Sequence, residues 1–405
     1  MATLVPFRAL RPTPDAAPRV AAVPYDVVNT EEARSLAAGN ALSFLHVSRA
    51  EIDLPPAIDP YSDAVYRKAA ENFCALKQAA PLVLEEAPST YVYRLRMGDH
   101  VQTGVAACYS VAEYESGVIK KHEHTRRDKE DDRTRHIIEL RAQTGPVFLV
   151  HRASAAIDEV VARTTGHAPL FDVVAPDGVQ HLIWRVDPRD QDHLVRAFAA
   201  VPALYIADGH HRAASAARAR RQLGGAAGAA GEWDRFLAVA FPDDQMQVLP
   251  YNRVVRDLGG YSPESLLDAL GARVTVKAGP ARPARKGEVA MLLDGGWHTI
   301  ELGPPQPGLS PADRLDVSRL QDLVLTPLLG IGDVRTDKRI DFVGGARGVA
   351  ELERLVASGR AAVAFSMYPV KVDDLMAVCD AGGIMPPKST WFEPKLRDGL
   401  LSHVI

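Results

Sequence analysis

Eight consecutive residues, Tyr205-Ile-Ala-Asp-Gly-His-His-Arg212, join a short apolar strand, a sharp turn, two histidines and an arginine, and an alanine-rich helical stretch follows at once. That order of residue types suits the handling of an anion. A helix start leaves backbone N–H groups unpaired and directs the positive end of the helix dipole outward. Asp208 stands where a helix cap is expected, and Gly209 would let a ligand approach the main chain. His210, His211 and Arg212 add donors beside the amides. Asp-Gly is also an ordinary turn, and histidines near helix starts are often plain surface groups. Turn chemistry alone does not call for two histidines and an arginine in succession.

Two further segments carry reactive side chains. In Lys121-His-Glu-His-Thr125 the spacing is not HExxH, because Arg126 stands where the second histidine would be. Glu123 could accept a proton from a substrate hydroxyl or hold a divalent metal that prefers oxygen, with His122 beside the substrate or its phosphate. The acidic residues that follow, Asp128, Glu130, Asp131 and Asp132, read as a solvated helix entry with Thr125 as its cap. Near the end, Pro386 and Pro387 stiffen an extended approach to Lys388, Ser389 and Thr390, a set suited to a phosphate or carboxylate and equally to a rigid tail packed on the body. The chain lacks GxxxxGK[ST], a GxGxxG after a strand, and GxSxG, which argues against P-loop, dinucleotide and α/β-hydrolase sites.

The elements that must position these groups alternate between strands and helices. Val20–Val28 reads as a strand, followed by a helix capped by Asn29 or Thr30 and another from about 61 to 79. A hairpin turns at Gly98-Asp99, and a helix containing Ile137, Ile138 and Leu140 closes near Gly145. Strands are expected at 146–150, 182–186, 203–207 and 236–241, with a flexible glycine-rich loop at Gly224–Gly231. The pattern gives an α/β or α+β class with a mixed-sheet body. It divides into an N-terminal region, 1–250, carrying both histidine motifs, and a C-terminal α/β region, 251–405, ending in the Lys388 segment.

Length and composition allow this. The 405 residues suit two or three domains, and 47% hydrophobic with 24% charged residues is an ordinary globular balance. The 47 basic residues against 51 acidic ones give a net charge of -4, with no global attraction to nucleic acid or acidic membranes. Cys74, Cys108 and Cys379 are far apart and fit neither a disulfide framework nor zinc spacing, which points to a cytoplasmic protein. Neither a signal peptide nor a membrane span is expected.

Taken together, Val23-Pro-Tyr-Asp-Val27, His122-Glu-His-Thr125, Asp208-Gly-His-His-Arg212 and Met385-Pro-Pro-Lys-Ser-Thr390 resemble a widespread bacterial and archaeal family, domain of unknown function 1015, over nearly the whole chain. The Asp-Gly-His-His-Arg turn also resembles the signature of free-serine kinases built on the ParB and sulfiredoxin fold. That resemblance implies a ParB/sulfiredoxin-like core, with Gly209, His210, His211 and Arg212 at nucleotide phosphates and Asp208 as metal ligand or cap. Glu123 as the activating carboxylate comes from its chemistry, not from a matched motif.

The expectation is a phosphotransferase in which ATP, ADP or another nucleotide, with magnesium, phosphorylates a small hydroxyl compound such as free L-serine. Catalysis would fall to Glu123, Asp208 and His211, with Asp208 also on the metal. His122, Gly209, His210, Arg212, Lys388, Ser389 and Thr390 would bind substrate or phosphate. Two other classes stay open. One is a ParB-like nucleotide-binding or nucleic-acid-associated regulator, for which Arg212, Arg218, Arg220 and Arg221 crowd one short helix; the other is a metal-dependent hydrolase using His122, His124, His210 and His211.

Overall fold

Alternating residues over Tyr91–Met97 and His100–Ser110 fold back on each other at the Gly98-Asp99 turn, where Gly98 takes φ 58°. This hairpin lies within the largest sheet of the computed structural model, which describes residues 1–79, 82–224 and 230–405. Residues 225–229 of the expected glycine-rich loop lie outside the described residues. From one edge the sheet runs Ile119–Lys120, Leu204–Asp208, Val147–His151, Arg235–Pro242, the hairpin, Gln180–Arg185 and Phe171–Val174. Most neighbours are antiparallel, but Leu204–Asp208 runs parallel to Ile119–Lys120, and Arg235–Pro242 runs parallel to Val147–His151. The class is therefore mixed α/β.

The chain forms two compact units, Met1–Met246 with Pro394–Ile405, and Gln247–Glu393. The C-terminal strand Ser402–Val404 belongs to the first unit because it pairs with Ala9–Pro12 and with Ala142–Gln143. The second unit holds a six-stranded antiparallel sheet with helices such as Pro263–Gly271 and Gly348–Ala357. Its core is mainly aliphatic, with Leu266, Leu270, Met291 and Leu320 fully buried beside the aromatic Phe365.

In the first unit, the helix His210–Leu223 buries Ala213, Ala214, Ala216 and Ala217 against Val147, Leu149 and Ala238. Small side chains along this face let helix and sheet approach closely. The helix Thr30–Ala37 starts as expected, with Asn29 and Glu32 forming a reciprocal capping box. The expected strand at Val20–Val28 does not form. Val20 ends the short helix Ala17–Val20, Ala22 makes one bridge to Asp398, and the chain then turns, with the Val27 N–H donating to the Pro24 carbonyl. Pro24 has no N–H for a ladder, which favours the turn. Among the described residues no helix is long and apolar enough to cross a membrane, and Cys74, Cys108 and Cys379 are free thiols.

Gly104 lies on the hairpin strand next to Arg235–Pro242. A Cβ added there would sit 2.7 Å from the Ala240 carbonyl oxygen and 2.8 Å from the Phe241 ring. Gly104→Ala is expected to destabilise the first unit by roughly 1–3 kcal/mol through overpacking. A urea unfolding curve with an unchanged midpoint would show that this strand pair can spread without cost.

Candidate functional site

The parallel strands Ile119–Lys120 and Leu204–Asp208 lie side by side, with Leu204 opposite Ile119 and Tyr205 opposite Lys120. Their following loops therefore leave at the same end. One loop carries His122 and Glu123; the other is the Asp208-Gly209 turn into the helix His210–Leu223. Open α/β sheets bind ligands at such strand ends, where loop backbone and helix N-termini converge.

The two consecutive histidines fasten the loops together. The His122 N–H donates to Nε2 of His210 at 3.3 Å, and the Arg126 N–H donates to Nε2 of His211 at 3.1 Å. An imidazole nitrogen that accepts is unprotonated, so in each neutral ring the proton sits on Nδ1. Burial pushes the His210 proton affinity well below the ordinary imidazole value, and it lowers His211 as well. Nδ1 of His210 lies 3.9 Å from Oε2 of Glu123. With the ring neutral, that approach is not an ion pair; it aims a donor toward a carboxylate at longer than bonding distance.

His122 stands edge-on to His210, with ring centroids 4.3 Å apart. It is 3% exposed, and burial lowers it to about 4 against the opposing effect of a hydrogen bond to the Ile206 carbonyl. Its Nδ1 has no hydrogen-bond partner among the described residues. Glu123 is exposed, His124 is exposed, and Thr125 donates to Glu130 rather than capping the helix Arg127–Leu140.

Asp208 does not cap its helix. Gly209 is the N-cap residue, at φ 93°, and no side-chain cap hydrogen bond is made there among the described residues. Asp208 is drawn instead to Arg212, one helical turn on. Oδ2 lies 2.6 Å from Nη2 of Arg212, and Oδ1 lies 3.3 Å from Nζ of Lys395. Burial alone would raise the proton affinity of Asp208, but the Lys395 and Arg212 charges outweigh it and hold the carboxyl well below its usual range. Gly209 meets a steric need as well: a Cβ there would lie 3.0 Å from the Arg212 guanidinium, and its left-handed φ disfavours any side chain.

Arg212 is 8% exposed and faces inward. It donates to the Pro146 carbonyl and lies 3.8 Å from Asp26. Beside it, Asp398 is 2% exposed, and its Oδ1 lacks a hydrogen-bond partner among the described residues. Burial pushes the Asp398 carboxyl up to about 7 against the pull of Arg212. Tyr25, Arg133, Gly145, Arg212 and Asp398 line a cavity of about 40 Å³, enough for a few waters at roughly 10–15 Å³ each.

The structure thus gathers His122, Glu123, Asp208, Gly209, His210, His211 and Arg212 in the first unit. Lys388, Ser389 and Thr390 belong to the second, where Lys388 takes φ 55° with Nζ 5.6 Å from the Tyr251 ring centre and Ser389 donates to the Pro386 carbonyl at 2.5 Å. The site residues that motif reading passed over are Lys395 and Asp398, which carry no local signal, and the Tyr25-Asp26 pair, present in a quoted motif but assigned no role. Arg218, Arg220 and Arg221 are paired with Glu130, Asp131, Asp234 and Glu115, so their charges are locally balanced.

His122, Glu123 and His210 can offer three ligand atoms within 4.8 Å of one another, the spacing of a metal site. A neutral His210 binding a metal through Nδ1 would carry its proton on Nε2 and lose the bond from the His122 N–H. The ring as folded suits an oxygen anion better than a transition metal.

The model of a family described as "Protein of unknown function (DUF1015)" matches residues 4–318. No curated protein matches the chain by sequence. Among solved structures, a free serine kinase in complex with AMP is 12% identical, covering 74% of this chain and 91% of its own at a TM-score of 0.36. A conserved hypothetical protein from Pyrococcus furiosus is 13% identical, with 74% and 95% covered and a TM-score of 0.35. C-terminally truncated SbnI from Staphylococcus aureus is 12% identical, with 74% and 87% covered at 0.35.

Asp398 sets a pH dependence. Its folded value of about 7 lies above the ordinary 3.8, so the folded state holds the proton more tightly. The associated stability is complete below the ordinary value and is lost as pH rises through about 7. Asp398→Asn is expected to flatten the fall in unfolding midpoint across that window. Parallel pH profiles for the variant and the wild type would refute the assignment.

Proposed function

The chain belongs to the DUF1015 family, and we propose that this member is a nucleotide-dependent phosphotransferase that phosphorylates a small hydroxyl compound such as free L-serine. The observation that carries the reading is the meeting of Glu123 with the His210 end of an uncapped helix, Nδ1 to Oε2 at 3.9 Å. Phosphoryl transfer needs positioned positive potential for the phosphate oxygens and an acceptor for the incoming hydroxyl proton. Here the two stand side by side.

In this reading the first-turn amides of His210, His211 and Arg212 receive phosphate oxygens at the positive helix end. Neutral His210 and His211 add Nδ1–H donors and, being uncharged, keep that role across the physiological pH range. Glu123 accepts the hydroxyl proton as the acceptor oxygen bonds to phosphorus and the bond to the departing nucleotide breaks. Asp208 holds Lys395 and Arg212 in place, so Lys395 contributes positive charge while Arg212 braces the turn from beneath. His122 supports His210 through its backbone N–H and its edge-on ring. Magnesium takes oxygen ligands, for which Asp208 and Glu123 are the candidate carboxylates, and when bound it would neutralise phosphate oxygens. Lys388, Ser389 and Thr390, on the second unit, are proposed separately as a phosphate-binding segment of that unit.

The test is incubation of the purified protein with ATP, ADP or CTP, magnesium and L-serine, followed by detection of phosphoserine. Glu123→Ala is expected to lower turnover about 10²–10⁴-fold, the usual contribution of a general base. Absence of product with every nucleotide, or full activity in Glu123→Ala, would overturn the proposal.

A further inference from the structure

A second cavity in the first unit, about 150 Å³, has a wall of both charge signs formed by Ser48, Arg49, Glu51, Tyr61, Lys129 and Arg133. That volume has room for about ten waters or more at roughly 10–15 Å³ each. One polar group on the wall is unsatisfied, and a second is met by charge alone. The Ser48 hydroxyl, on a residue 3% exposed, has no hydrogen-bond partner among the described residues. Nε of Arg49 also lacks a hydrogen bond, although it lies 2.9 Å from Oε1 of Glu51. A buried hydroxyl without a partner is costly unless a ligand or water meets it.

The charges on the wall divide into a closed pair and an open set. Asp132 is fully engaged, taking Arg133 at 2.9 and 3.0 Å and the Tyr66 hydroxyl at 2.9 Å. Lys129 gives one hydrogen bond, to the Tyr61 hydroxyl at 2.8 Å, leaving ammonium protons to spare. The bonds of Glu51 to Thr30 and Arg49 both run through Oε1. Arg49 already meets Oε1 of Glu51 and donates from Nη2 to the Thr30 hydroxyl at 3.0 Å, so Lys129, the Ser48 hydroxyl and the remaining N–H groups of Arg49 face a carboxylate, with Oε2 of Glu51 for an ammonium group. Ser48, Arg133 and His136 also line the smaller cavity against Arg212, so the two cavities share a wall.

We propose that this cavity binds the α-carboxylate and α-ammonium groups of a small hydroxy amino acid, the former by Arg49, Lys129 and the Ser48 hydroxyl and the latter by Glu51. The inference rests on the phosphotransferase reading for the fate of the hydroxyl, but not for binding. A compound carrying only one of the two charged groups satisfies only part of the wall, which makes the cavity selective for zwitterions.

The test is calorimetric titration of the full chain with L-serine, ethanolamine, which lacks the carboxylate, and L-lactate, which lacks the ammonium. L-serine is expected to bind at least about tenfold more tightly than either, as loss of a charge-assisted contact implies. Arg49→Gln and Lys129→Met are each expected to weaken L-serine at least about tenfold and leave ADP affinity within about twofold. Lys129→Met guards against a folding defect, because Arg49 also contacts Thr30. No L-serine binding to the wild type, equal binding of the three compounds, or wild-type serine affinity in both variants would overturn the proposal. Phosphoserine formation with an unchanged KM for serine in both variants would remove this cavity and spare the phosphotransferase reading. Weakened serine binding in the variants with no phosphoserine from the wild type would do the reverse.

Discussion

A buried guanidinium organises the first unit. Arg212 enters the interior one helical turn after Asp208, and each of its contacts fixes a different segment: the Pro146 carbonyl before the strand Val147–His151, the Asp208 carboxylate at the end of Leu204–Asp208, and Asp26 in the turn after Pro24. A buried cation is tolerated only where acids and carbonyls surround it, and removing one partner would leave the charge uncompensated. The Asp208 turn has its shape because Arg212 lies beneath it. Gly209 is required there by backbone conformation and by the guanidinium, and Asp208 is turned away from the helix end by the same pull.

That geometry frees the helix end. Had Asp208 capped it, an acidic oxygen would occupy the position an anion needs; with the carboxylate held by Arg212 and Lys395, no side-chain cap hydrogen bond closes that end among the described residues. The histidines then serve two ends at once. Each spends Nε2 on holding the neighbouring loop and keeps Nδ1–H for something else. One strand pair, one arginine and two rings position the whole cluster.

Much of the scaffold was legible in the sequence because local signals agreed with the final packing. The Gly98-Asp99 hairpin, the capped helix after Asn29, and the strand and helix around Asp208 follow from alternation, turn chemistry and periodicity. Val20–Val28 misled because its apolar run satisfies strand composition, while Pro24 denies it a ladder and the chain turns instead, burying Val20, Ala22 and Tyr25 and leaving Val27 exposed. Asp208 read as a cap because the sequence shows only its position before the helix, and the competing charge of Arg212 acts only once the helix exists. The pairing of the two histidine motifs depends on a parallel strand contact between residues some 85 positions apart, which no local pattern reports. Lys395 and Asp398 were invisible for the same reason: each is an ordinary residue until the tail is laid against the first unit.

The discontinuity of that unit puts its assembly in a fixed temporal order. Lys395, Asp398 and the strand Ser402–Val404 belong with Met1–Met246, yet the whole of Gln247–Glu393 is synthesised between them. During translation Asp208 and Arg212 leave the ribosome long before their lysine partner, and Ala9–Pro12 and Ala142–Gln143 lack the strand that joins them. The nascent first unit therefore carries an open seam in its smaller sheet and an incomplete charge cluster until the second unit has been made. Closure of that seam is a late, long-range step, and the candidate site acquires its full electrostatic character only at that moment.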